Sequence, residues 1–167
     1  MKNKRVNPRK LFLLSAILGC ALAAMAVAPS STGTSSDIAV IVNPSTPVSN
    51  LSLGELRAIL SGDRRSWDMK TPAVILMRLP GSHERDVVLQ RVLKQSESDY
   101  KKFWVGKIFR GEVIFEPATA PSAGLALDYV SSVQGAISFV DRSQVQSRVK
   151  LVKIDGKLPG ESGYPLH

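Results

Sequence analysis

The chain has 167 residues, 44% of them hydrophobic, enough for one globular domain with a real core and too few for two of ordinary size. Its formal charge of +8 is unevenly spread: Lys2, Lys4, Arg5, Arg9 and Lys10 supply five of the 22 basic residues, and the other 17 face 14 acids, so the rest of the chain carries only about +3 and calls for no nucleic acid partner. One cysteine, Cys20, and two histidines, His83 and His167, exclude a disulfide framework and a His-rich or Cys-rich metal centre.

In chain order, residues 1–28 read as a secretory signal peptide. A basic start precedes an uncharged apolar run over 11–28, and Ala24-Met25-Ala26 or Ala26-Val27-Ala28 offers small residues for cleavage. Cleavage after Ala26 is favoured because Pro29 would directly follow the other cut, and the expected product is a periplasmic or otherwise extracytoplasmic protein. An uncleaved anchor is the alternative, the apolar run being near the minimum for a spanning helix. A lipidated Cys20 is disfavoured by the apolar residues that follow it. Residues 29–36, Pro-Ser-Ser-Thr-Gly-Thr-Ser-Ser, form a flexible linker, and the domain is expected over 37–167.

The domain opens with Ile38-Ala39-Val40-Ile41-Val42, a β-branched apolar run suited to a strand covered on both faces. Ser52 and Glu55 then fit a capping box for a helix with Leu53, Leu56, Ile59 and Leu60 on one stripe, stopped by Ser61-Gly62. A second strand is expected over 73–77. Val88, Leu89, Val92 and Leu93 mark a helix running out near Ser96, and Ser98 or Ser96 caps the next, where Tyr100, Phe103, Trp104 and Ile108 recur until Arg110-Gly111. Lys101, Lys102, Lys107 and Arg110 on that helix read as a solvated cationic face. Residues 113–115 should be extended. Ser122 caps a further helix with a buried stripe of Leu125, Ala126, Tyr129, Val130 and Val133, followed by strands over 136–140 and 150–154. Strands alternating with helices imply α/β architecture, a largely parallel sheet flanked by helices.

Between the second strand and its helix lies Arg78-Leu79-Pro80-Gly81-Ser82-His83-Glu84-Arg85. Ser82 stands at the N-cap, so its hydroxyl and the free amides of the first turn would face one point, and Arg78 at the strand's end offers a fork suited to phosphate or carboxylate. An ordinary capped helix beside a solvated arginine explains the same residues.

Six motifs in order carry a family resemblance: Ile38 to Asn43, Leu51 to Leu60, Trp67, Arg78 to Ser82, Gly135 to Val140 and Gly163 to Leu166. Together they resemble the phosphate-binding proteins of ABC uptake systems, in the type 2 periplasmic-binding superfamily. In that family two α/β lobes close on an oxyanion, and the second lobe contributes an Arg followed by Asp-Gly-Ser-Gly-Thr. The resemblance implies Arg78, Gly81, Ser82 and His83 as ligand-binding positions, with Arg78, Gly81 and Ser82 matching family residues. Pro80 stands where the Asp would be, His83 where the second Gly would be, and Glu84 where the Thr would be. It also implies the second lobe alone, because only leader and linker precede the matched first strand.

Enzyme chemistry finds little support. Ser82-His83-Glu84 are adjacent and unsuited to a relay, the two Ser-x-x-Lys matches at Ser98 and Ser147 lack supporting motifs, and no Gly-rich nucleotide fingerprint exists. No cofactor, metal or catalytic residue is expected. The expected function is weak binding of phosphate or a related oxyanion for an ABC uptake system, with the transporter's membrane subunits or a second-lobe partner as candidate companions. The alternative is a non-binding envelope interaction protein that retains the lobe.

Overall fold

The structure is a computed structural model that describes residues 36–167. The expected leader and all but the last residue of the expected linker lie outside the described residues. Among the described residues seven strands and four α-helices follow in the order β1 Ile38–Val42, β2 Asn50–Leu51, α1 Leu53–Leu60, β3 Val74–Arg78, α2 His83–Val87, α3 Glu97–Phe109, β4 Ala118–Ala120, α4 Ala123–Ser132, β5 Ala136–Asp141, β6 Lys150–Leu151 and β7 Lys153–Ile154. A π-helical segment, Val88–Leu93, continues α2 without a break.

Five strands form one sheet in the order β4-β3-β5-β1-β6, with helices on both faces. β3 is parallel to β4 and β5, while β1 is antiparallel to both β5 and β6, so four of the five strands share a direction. The apolar run of β1 is buried throughout because period-two alternation sends its residues to two cores. Ile38, Val40 and Val42 join Ile137 and Phe139 of β5 beneath α1, the π-helical segment and α3. Ala39 and Ile41 join Leu76, Ala136 and Val140 beneath α4.

Serines start four helices as the sequence suggests. Ser52 makes the full capping box with Glu55, and Ser82, Ser96 and Ser122 each accept an amide hydrogen three residues on. Among the described residues no helix is long and apolar enough to cross a membrane.

Four expectations need correction. Lys107 does not belong to a solvated cationic face: it is buried, and its ammonium donates to the Ser61 carbonyl at 2.8 Å and to the Asp63 carboxylate at 3.0 Å beyond the end of α1. Residues 113–115 are not a strand; Ala118–Ala120 pairs with β3 instead, and Ile114 and Phe115 are exposed. The buried stripe of α4 is Ala126, Leu127 and Val130, while Leu125 and Tyr129 are 52% and 37% exposed. The run 150–154 splits, because the chain leaves β1 after Leu151 and pairs β7 in parallel with β2. That small second sheet supports the start of α1, where the Asp155 carboxylate accepts the Leu53 amide at 3.1 Å.

Candidate oxyanion site at the β3–α2 junction

β3 ends at Arg78, and a carbonyl of the neighbouring strand holds its side chain. The parallel register places Arg78 opposite Ala120, whose carbonyl accepts from the Arg78 guanidinium at 3.0 Å. The chain then turns through Gly81, whose φ of +82° would strain any residue with a Cβ, and the Ser82 amide closes the turn on the Leu79 carbonyl. Ser82 adopts extended dihedrals, and its Oγ accepts the Arg85 amide at 3.4 Å, a long capping bond. The amides of His83 and Glu84 donate to no acceptor among the described residues. Gly81 and His83 are exposed, Ser82 is half-buried and Glu84 is buried.

Arg78 is not the solvated cation that a strand end suggests. It is 8% exposed, and its Nε donates to Oε1 of Glu84, also 8% exposed, at 3.3 Å. The acid at the second position of α2 therefore points inward onto the arginine, where first-turn acids ordinarily face water and the helix dipole. One terminal nitrogen of Arg78 donates to none of the described residues.

Arg85, which no sequence motif marks as a site residue, locks the junction. It donates to the Arg78 carbonyl at 2.9 Å, grips Glu97 of α3 with two bonds of 2.7 and 2.9 Å, and lies 4.9 Å from the ring centre of Tyr100. Three elements, β3, α2 and α3, thus meet at one guanidinium. A signal was present in the sequence: an arginine inside the first turn of an apolar-faced helix, followed twelve residues later by an acid that opens the next helix.

A second carboxylate stands at the same end of the sheet. The β3–β5 register places Asp141 one residue beyond the level of Arg78. Burial works to raise its pKa, but hydrogen bonds from Ser143 and Ser36 and the field of His83 outweigh it and hold the group below the ordinary aspartate value. The arrangement is chemically mixed: two free amides, a hydroxyl, an exposed imidazole and a partly engaged guanidinium favour an anion, while Glu84 opposes one. Among the described residues no cluster of His, Cys, Asp or Glu could hold a metal ion.

No family model and no curated protein matches the chain. Solved structures do. A Clostridium perfringens protein assigned as a phosphate ABC transporter substrate-binding protein, with phosphate bound, superposes with a TM-score of 0.59 at 24% identity over 72% of this chain and 46% of its own. An ABC-type phosphate transport receptor from Vibrio cholerae gives 0.61 at 18% identity, covering 74% and 48%. PstS from Borrelia burgdorferi gives 0.61 at 12%, covering 78% and 54%. At these identities the likeness establishes the fold alone: a mixed α/β lobe like part of each of these solved chains. The chain spans about half the length of the solved chains it matches.

Proposed function

We propose that this is an exported substrate-binding lobe that takes phosphate or a related oxyanion at Arg78, Gly81, Ser82 and His83 for an ABC uptake system, as a counterpart of the second lobe of phosphate-binding proteins. What supports this reading is that Arg78 closes β3 and bonds through its Nε to Glu84, two residues past the Ser82 cap, while the amides of His83 and Glu84 have no acceptor among the described residues. Its natural companions are the transporter's membrane subunits or a second lobe that covers the exposed turn. Binding by this lobe alone is weak, on the order of millimolar, because Gly81 and His83 stand in water and Glu84 already occupies one edge of Arg78.

The test is thermal melting with inorganic phosphate against chloride at equal ionic strength, each variant being compared with its own phosphate-free baseline. Wild type should gain stability with phosphate, and Arg78→Ala and Ser82→Ala should each reduce the gain. No phosphate-specific gain in wild type, or a full gain in Arg78→Ala, removes the binding reading at this site.

The inward carboxylate of Glu84 favours a second reading, an envelope interaction protein that keeps the lobe without a ligand. Under that reading no anion changes the melting temperature of wild type or of Ser82→Ala.

A further inference from the structure

We propose that Glu84 is a tethered occupant of the anion position on Arg78 and sets how tightly this arginine accepts an outside oxyanion, an inference that rests on the oxyanion reading above. Both side chains are almost wholly withdrawn from water, at 9% and 11% exposure, so their facing charges are not a chance surface encounter. The link is a single Nε–Oε1 contact of 3.3 Å, longer than the roughly 2.7–2.9 Å usual for a charge-assisted bond and unlike the two-bond grip of Arg85 on Glu97. Arg78 therefore keeps donor capacity. One of its terminal nitrogens has no acceptor among the described residues, and the guanidinium is otherwise fixed only by the Ala120 carbonyl.

An oxyanion approaching that free edge meets a fork already half used and a fixed negative charge beside it. A like charge within about 4–6 Å shifts a carboxyl equilibrium by about one pKa unit or more, roughly a factor of ten upward, and the same repulsion acts on a bound oxyanion. Replacing the charge while keeping the shape should release that factor. Glu84 follows the half-buried cap Ser82 by only two residues, so a displaced side chain has solvent within reach past the exposed His83.

The experiment is calorimetric titration of the purified chain with inorganic phosphate at fixed ionic strength. It compares wild type, Glu84→Gln, Glu84→Thr and the double variant Glu84→Gln with Arg78→Gln, and circular dichroism confirms that each is folded. Glu84→Thr supplies a second neutral side chain should Glu84→Gln fail to fold. The neutral variants should bind phosphate roughly tenfold tighter than wild type, and the double variant should lose the gain. Equal binding by wild type and the neutral variants overturns the role of Glu84 and leaves the oxyanion reading standing. No binding by any variant removes both.

Discussion

Replacing Gly135 by alanine tests the turn that joins α4 to β5, and with it the start of the strand that presents Arg78. The Gly135 carbonyl accepts the Val74 amide at 3.0 Å and the Trp67 indole at 2.8 Å, so one backbone group aligns β3 and anchors a buried aromatic. Its φ is +75°, and a Cβ added there would overlap the Pro72 carbonyl oxygen and lie 3.3 Å from its carbon. The left-handed backbone alone costs an L-residue about 1–2 kcal/mol. The clash is with backbone, so it is relieved only by displacing the lead-in to β3, and overpacking of this kind costs about 1–3 kcal/mol more. The expected loss is therefore about 2–5 kcal/mol, against a total stability on the order of 5–15 kcal/mol. Gly156 is the control, since its φ is +79° but no atom lies within 4 Å of the point a Cβ would occupy. Gly156→Ala should show the backbone cost alone. Urea unfolding of both variants, with unchanged slopes, separates the two contributions. If they lose the same stability, or if Gly135→Ala loses less than about 1 kcal/mol, the steric account of this turn is wrong.

Two further outcomes follow from buried polar groups. Arg78→Met should cost roughly 3 kcal/mol in urea unfolding, because it strands the Glu84 carboxylate in a nearly closed site, and Arg78→Met with Glu84→Leu should recover most of the loss; a neutral single variant refutes the buried ion pair. Burial raises the Tyr100 phenol above the ordinary value near 10, and burial together with the Asp37 charge does the same for Tyr164, whose hydroxyl donates to the Ile38 carbonyl at 2.8 Å. Folding thus favours the protonated phenols. That contribution is complete below pH of about 10 and disappears as pH rises toward the folded values, so stability should fall steeply above pH of about 10, and Tyr164→Phe should flatten the fall while costing about 1 kcal/mol at neutral pH. An alkaline stability profile that is unchanged in Tyr164→Phe contradicts this assignment.

Much of the architecture was legible because local signals and tertiary demands agreed. β1, β3 and β5 are apolar runs covered on both faces, and four serines sit where helices begin. Strand direction was not legible, since alternation in Ile38–Val42 is the same whichever way β5 runs. Val113, Ile114 and Phe115 have the stronger β propensity, yet Ala118–Ala120 takes the place beside β3, where Ala120 is buried within the α4 core. On α4 the helical period was right and the phase was wrong, leaving Leu125 and Tyr129 to line an open groove of about 420 Å³ with Leu76 and Ala120. At the candidate site the sequence marked Arg78, Gly81, Ser82 and His83 as neighbours. It did not reveal that Glu84 turns inward, because a first-turn acid satisfies the helix dipole in either orientation and only the buried arginine decides between them.

The Ile38 amide donates to the Leu166 carbonyl at 2.8 Å, and Tyr164 reaches back to the Ile38 carbonyl at the same distance. The polypeptide thus enters and leaves this folded body at touching atoms, so the domain is topologically a closed loop on its own chain. Such a body can be spliced into a surface turn of another protein by opening a gap of about one strand spacing, near ~5 Å, with no linker to bridge it. A pull applied across residues 38 and 166 would load those few hydrogen bonds first, and the sheet behind them would carry tension only after they had parted.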